Sequence, residues 1–158
     1  MKYDVERFYF DCVQIVKDKI DDVVDALNAE KSDNITISKP TANQFKGEMT
    51  SELLNENFFI LHSLGDTSEI NQEGGDLALP VKMIFYAVFS DPEGDEDTLR
   101  KALRYTRALQ TIFQENQEIG SQNVKIKITS HYPQSTQFEN STDWYKIGGI
   151  EIEGTILL

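Results

Sequence analysis

Four carboxylates at alternating positions stand directly before an arginine-rich helical pattern in the segment FSDPEGDEDTLRKALRYTRALQTIF: Asp91, Glu93, Asp95 and Asp97. This alternation is the spacing of oxygen ligands in a calcium-binding loop. The sixth position of such a loop requires glycine for its sharp turn, and this chain has glutamate there. The sequence therefore predicts no metal site but a strand-to-helix junction, in which Asp95 or Asp97 caps the helix.

Three arginines follow on one face of the predicted helix, because Arg100, Arg104 and Arg107 have i, i+4, i+7 spacing. The chain is otherwise acidic, with 27 Asp and Glu residues against 15 Lys and Arg residues and a net charge of −12. A solvated helix face is the simplest interpretation of this stripe. The alternative is that the three arginines meet the acidic surface of another copy of the chain, which makes them candidate subunit-interface residues. Contact with nucleic acid is the third interpretation.

Groups that could perform catalysis are few and isolated. Cys12 is the only cysteine and lies in the apolar period of a helix, which indicates a core position. His62 and His131 lie in strand patterns without a serine, cysteine or carboxylate at a catalytic spacing. The chain has neither a phosphate-binding loop nor a dinucleotide-binding fingerprint. We therefore expect a protein that is not an enzyme and needs no cofactor or metal.

Composition limits the class of protein further. A length of 158 residues fits a single domain, 1–158. The strong negative charge argues against ordinary binding to duplex DNA, which needs basic surfaces that displace counterions. No apolar run is long enough to cross a membrane. The first residues lack the pattern of a secretory signal peptide, so we expect synthesis in a reducing cytoplasm.

The elements that would position these residues follow from hydrophobic periodicity. The pattern predicts two helices and four strands: helices over 4 to about 28 and about 96–116, and strands over 57–64, 79–89, 124–132 and 144–157. Ile35–Ile37 is a candidate for one additional short strand. The second helix would bury one face, formed by Leu99, Ala102, Leu103, Thr106, Leu109, Ile112 and Phe113. The order α-β-β-α-β-β predicts an α+β fold, with a mostly antiparallel sheet packed against a long N-terminal helix and a second helix.

The last two strands predict a hairpin of defined register. Alternation pairs Ile126 with Ile152, Ile128 with Ile150, Lys125 with Glu153 and Lys127 with Glu151. The apolar phase of the last strand changes at Gly148-Gly149, which predicts a bulge. The linking segment PQSTQFENSTD is polar apart from Phe138, so we expect an arm that orders against a partner, with Phe138 as its anchor. Trp144 would anchor the start of the last strand and is a further interface candidate.

This arrangement resembles the tail terminator, or tail completion, proteins of long-tailed bacteriophages. The likeness extends over nearly the whole chain and lies in the order and lengths of its elements. Those elements are the long N-terminal helix, the strands around NFFILHSL and VKMIFYAVF, the helix DTLRKALRYTRALQTIF, and the terminal pair VKIKITSHY and WYKIGGIEIEGTILL. The resemblance implies an α+β subunit of a hexameric ring that caps the finished tail tube, ends its polymerisation and docks the head.

The resemblance also implies partners and a location. The partners would be other copies of the chain, the tail tube protein and the head–tail connector protein. DNA would only pass through the bore, and no membrane would be involved. The protein would be made in the host cytoplasm and would reside in the tail or neck of the virion. A head–tail joining, or stopper, protein of the neck is the nearest alternative, and a non-viral α+β binding module is an alternative of another class.

Overall fold

The computed structural model describes residues 3–66, 71–73, 76–137 and 144–157. These residues contain two α-helices and seven strands: α1 Val5–Glu30, β1 Phe45–Lys46, β2 Phe58–Leu64, β3 Asn71–Glu73, β4 Asp76–Ser90, α2 Glu96–Glu115, β5 Glu118–Ile119, β6 Val124–Gln137 and β7 Trp144–Leu157. Short 3-10 helices, Ala42–Gln44 and Ser51–Asn55, lie on either side of β1. The predicted α+β class and the order of the major elements are confirmed.

The first helix is amphipathic, as its periodicity predicted. The Asp4 side chain caps it by accepting a hydrogen bond from the backbone N–H of Arg7 at 3.0 Å. Its buried residues form one stripe that repeats every three or four positions and is two residues wide at Cys12 and Val13: Phe8, Cys12, Val13, Val16, Ile20, Val24 and Leu27. Within the described residues, neither helix has both the length and the apolar character needed to cross a bilayer.

The segment that leaves α1 is held by a side chain rather than by strand pairing. The Asn28 side-chain amide donates to the Ile37 carbonyl and accepts from the Ile37 N–H, both at 2.9 Å. Ile37 is therefore buried although the predicted strand Ile35–Ile37 does not form. Three short strands that the sequence did not predict, β1, β3 and β5, form elsewhere in the described residues. The prediction failed because the amide satisfies the backbone groups that a neighbouring strand would otherwise bind.

The sheet has the strand order β1-β2-β4-β7-β6-β5, and β3 pairs with the start of β4. β1 and β2 run parallel, and the other pairs that the structure describes are antiparallel. The predicted pairing of β2 with β4 is confirmed, with Phe58 opposite Phe89 and Leu64 opposite Met83. Buried residues of both helices, of β4 and of β7 belong to one main core, so the helices cover one face of the sheet.

The hairpin β6–β7 is antiparallel as predicted, but its register is shifted by two residues. Ile126 lies opposite Gly154, Lys127 opposite Glu153 and Ile128 opposite Ile152. A bulge between Ile128 and Ser130 then moves the pairing by one further residue. A shift of two residues keeps every side chain on its face, so alternation alone was compatible with both registers. The opposite-charge pair that results joins Lys127 to Glu153 at 3.1 Å.

The strand β6 is longer than predicted. It continues to Gln137, which pairs with Trp144 at the start of β7. Residues 133–137 of the predicted arm are therefore strand. The remaining part of that arm, including Phe138, lies outside the described residues.

The glycine pair in β7 lies in uninterrupted pairing with β4 and with β6, which corrects the predicted bulge at Gly148-Gly149. The apolar phase changes because the two halves of β7 are buried on opposite faces. Tyr145 and Ile147 join a small cluster with Leu53, Phe59 and Val88, whereas Ile150, Ile152 and Ile156 join the main core. Glycine at 148 is explained by close packing, since a Cβ there would lie 1.9 Å from the Ala102 carbonyl oxygen of α2.

Candidate functional site

Hydrogen bonds and an ion pair of the acidic segment before α2 connect the end of β4 to β7 and to the start of the helix. Asp91 is 2% exposed, and its Oδ1 accepts a hydrogen bond from the backbone N–H of Asp95 at 2.8 Å. Its Oδ2 lies 3.4 Å from Lys146 Nζ, and its own N–H donates to the Trp144 carbonyl at 2.8 Å. Asp95 caps the helix by accepting from the N–H of Asp97 at 2.9 Å. The predicted capping role is thus confirmed for Asp95, and these groups fix where α2 begins.

Arg104 binds the segment between α1 and β1, residues 31–44, which we call the connector, to the middle of α2. This side chain is buried, and its guanidinium donates to the Asp33 carboxylate and to the Ile35 carbonyl. The hydrogen bond from Arg104 holds the pKa of Asp33 below its ordinary value. Arg100 lies 3.7 Å from the same carboxylate. Asp33 of the connector is therefore close to two of the three arginines of the predicted stripe.

Arg107, the third arginine, binds the end of α1. It forms a bidentate pair with Glu30 at 2.7 and 3.0 Å, and this hydrogen bonding lowers the pKa of Glu30. The side chains of Arg107 and Arg100 are 50% and 52% exposed, whereas that of Arg104 is 7% exposed. Contact of the stripe with another copy stays a prediction, and Arg100 and Arg107 are the members with surface available for it.

The two aromatic interface candidates are placed differently. Trp144 begins β7, and its side chain is 48% exposed. Its carbonyl is held by the Asp91 N–H, so its backbone is anchored to the junction while much of the indole remains at the surface. Its role at an interface stays a prediction. Phe138 lies outside the described residues.

Sequence periodicity missed an exposed apolar surface at the start of α1. Phe10 is 57% exposed and Leu64, at the end of β2, is 51% exposed. A groove of about 450 Å³ is lined by both side chains together with Val5 and Glu6. We call Val5, Phe10 and Leu64, with the exposed acids Asp4 and Glu6, the α1 surface. A signal was present in the sequence, since Phe10 falls outside the apolar stripe of its helix.

A second exposed apolar surface lies on α2. Leu99 and Leu103, which the sequence placed on the buried face, are 37% and 43% exposed. The prediction is confirmed for the rest of that face, since Ala102, Thr106, Leu109, Ile112 and Phe113 are buried. The buried face extends to Tyr105 rather than to Leu99 and Leu103, because α1 and the sheet cover that side. We call Leu99 and Leu103, with the basic residues Arg100 and Arg107, the α2 surface.

The groups that could act as nucleophile or base are bound inside the fold. The Tyr9 hydroxyl lies 2.5 Å from His62 Nδ1 and donates to the His62 carbonyl at 3.0 Å. Burial, followed by the nearby positive charge of Lys17, lowers the pKa of His62. Burial raises the pKa of the Cys12 thiol, which is fully enclosed. Among the residues that the structure describes, no three His, Cys, Asp or Glu side chains form a group that could hold a metal ion.

One further concavity lies between the connector, the ends of β2 and β4, and α2. It has a volume of about 350 Å³. Phe58 and Phe89 stack in its lining with their ring centroids 4.8 Å apart, and Tyr105 adjoins both rings. Thr98 and Lys101 of α2 contribute polar groups. Most of the remaining lining is also polar and includes Gln44 and Asn57, so the cleft combines an aromatic wall with groups that could form hydrogen bonds to a small ligand.

The chain matches no protein-family model and no curated protein.

Proposed function

We propose that this chain is a structural virion subunit that assembles with copies of itself into a ring, as tail terminator proteins of long-tailed bacteriophages do. The ring would cap the finished tail tube, end its polymerisation and provide the surface on which the head docks. The observation that carries the proposal is the order and pairing of the long elements. A capped helix of 26 residues, an antiparallel strand pair, a single helix and a terminal antiparallel pair share one main core.

The surface of the subunit supports the same proposal. Large apolar side chains are exposed in pairs on the α1 surface and on the α2 surface, and contiguous exposed apolar patches are typical of protein–protein contact sites. The net charge of −12 suits a bore through which DNA must pass without binding, because like charges repel. Location in the tail or neck of a virion is part of the proposal.

The function is tested with tail tubes assembled from the tube protein encoded in the same genome. We expect the purified chain to bind the tube end, to stop elongation and to appear there as a terminal ring in negative-stain electron micrographs. Tubes that continue to grow in the presence of excess protein would contradict the proposal. Binding to the head–tail connector protein without binding to tubes would instead indicate a head–tail joining protein of the neck.

A small α+β binding module is the second candidate, favoured by the cleft of about 350 Å³ lined by Phe58, Phe89 and Lys101. A ligand there would stabilise the folded chain, by an amount that rises with the logarithm of the ligand concentration above Kd. A screen of small anionic aromatic compounds by thermal unfolding tests this candidate, with Lys101→Gln as the variant that should lose the effect. A rise in Tm that persists in Lys101→Gln would place the ligand elsewhere.

A further inference from the structure

Part of the lining of the cleft between the connector, the sheet and α2 is aromatic. Phe58 stacks on Phe89 with ring centroids 4.8 Å apart, and Tyr105 packs against Phe58 at 5.0 Å. Tyr105 is fully buried and Phe89 is 9% exposed, whereas Phe58 is only partly buried. Phe58 therefore presents the aromatic surface that a ligand can reach, and a planar ring is the group that stacks best on it.

The polar side chains of the same lining have unused hydrogen-bonding capacity. Six of them form neither a hydrogen bond nor an ion pair with any residue that the structure describes: Thr36, Ser38, Asn57, Ser90, Thr98 and Lys101. Their backbone is nevertheless fixed, since the Tyr105 hydroxyl donates to the Ser38 carbonyl and the Ser90 N–H donates to the Asn57 carbonyl. Hydroxyl groups both donate and accept, so a ligand that carries several of them would match this set.

Charge limits the ligand further. Lys101 is the one charged side chain among the described residues that line the cleft. Exposed acids lie beside the lining along the chain but do not belong to it: Glu56, Glu93, Asp95, Glu96 and Asp97. These acids disfavour a multiply charged anion such as a phosphate. A single carboxylate in direct contact with Lys101 matches the one positive charge of the lining, because attraction is strongest at short distance.

Building on the second candidate function, we propose that the cleft binds a planar ring that carries hydroxyl groups and one carboxylate. The ring packs on Phe58. The carboxylate pairs with Lys101 and accepts from Thr98, which is three residues earlier and so lies on the same face of α2. The hydroxyl groups bind the side chains of Asn57 and Ser90. A volume of about 350 Å³ is small for a ligand pocket and fits a compound with one ring.

Three compounds separate these contributions in ligand-observed NMR titrations with the full chain. Protocatechuate has the ring, two hydroxyl groups and the carboxylate, benzoate lacks the hydroxyl groups, and protocatechuamide lacks the charge. We expect a Kd of about 1 mM or tighter for protocatechuate, which is an ordinary affinity for so few atoms. Benzoate and protocatechuamide should each bind about tenfold more weakly, because a polar group of the cleft then loses its partner.

Two substitutions assign the contacts. Lys101→Gln should weaken the binding of protocatechuate about tenfold and leave that of protocatechuamide unchanged, since only the carboxylate uses the charge. Asn57→Ala should weaken the binding of protocatechuate and leave that of benzoate unchanged. Lys125→Gln is the matched control, because Lys125 is exposed on β6 and does not line the cleft. It should bind all three compounds like the unmodified chain.

Three results would overturn the inference. These are no binding of protocatechuate at about 10 mM, equal affinities for the three compounds, or equal losses in Lys101→Gln and Lys125→Gln. A Lys101-dependent rise in Tm with other compounds, but no preference for protocatechuate, would leave the second candidate standing and refute only this ligand class. If no compound raises Tm either, the second candidate fails as well. The tube-elongation assay, which tests the ring, is independent of both results.

Discussion

Replacing Gly148 by alanine tests how closely α2 packs on the sheet. The new Cβ would lie 1.9 Å from the Ala102 carbonyl oxygen and 2.7 Å from Thr106 Oγ1, whereas ordinary van der Waals contact begins at 3.4 Å. Because the shortest contact is with helix backbone, no side-chain rotation relieves it. We expect α2 to move away from β7 by about 1.5 Å, the difference between the first and last of these distances.

The expected decrease in the free energy of unfolding follows from the residues that α2 buries. Eight of its residues are buried, among them Tyr105, Leu109 and Phe113. A gap of about 0.5–1 Å already removes a quarter to a half of the dispersion energy of a contact. Together with the strain of overpacking, this loss predicts a decrease of about 3–5 kcal/mol in the free energy of unfolding. A domain has about 5–15 kcal/mol in total, so the effect should be large.

Urea denaturation followed by circular dichroism measures this decrease. With a slope of about 2 kcal/mol/M, the midpoint should fall by about 2 M. Gly47→Ala is the matched control, because its new Cβ would meet nothing closer than His62 Cε1 at 3.4 Å. The control should change stability by no more than about 1 kcal/mol, in either direction. A loss below about 1 kcal/mol in Gly148→Ala would refute the close approach of helix and sheet.

Two further predictions concern charged and titrating groups. Arg104→Met should lower the free energy of unfolding by about 2 kcal/mol, because the Ile35 carbonyl loses a charged donor. Arg107→Met should lower it less. Equal losses in urea denaturation would show that burial of Arg104 contributes nothing. Because the pKa of His62 is lowered from 6.5, the folded chain binds fewer protons than the unfolded chain below that pH, so stability should fall as pH decreases from 7.5 to 5.5. His62→Gln should reduce that slope, by at most about 1.4 kcal/mol per pH unit, and an unchanged slope would contradict the assignment.

The fold followed from the sequence where one periodicity governs a whole element. The stripe from Phe8 to Leu27 predicted α1, and Asp95 predicted the start of α2. Periodicity could not determine the register of β6–β7, since a shift of two residues changes no face. It also gave the wrong cause for the phase change at Gly148, because a second small core on the other sheet face is formed by residues distant in sequence.

The candidate surfaces were only partly visible in the sequence. The spacing of the arginines predicted a basic helix face, but only the folded chain brings Asp33 and Glu30 to Arg104 and Arg107. The position of Phe10 outside the apolar stripe of α1 indicated an exposed side chain, but its proximity to Leu64 could not be predicted, because the two residues belong to different elements and meet only through tertiary packing. Contacts between residues far apart in the chain depend on how elements are arranged, which local patterns do not encode.

The central claim is that this chain closes on itself as a ring, and the mass and shape of the purified protein test it most directly. Light scattering and negative-stain images of the same sample measure both. We expect a closed ring with a central opening, and six chains of 18.0 kDa give a particle of about 108 kDa. A monomer of 18.0 kDa at high concentration, with no ring on tail tubes, would contradict it.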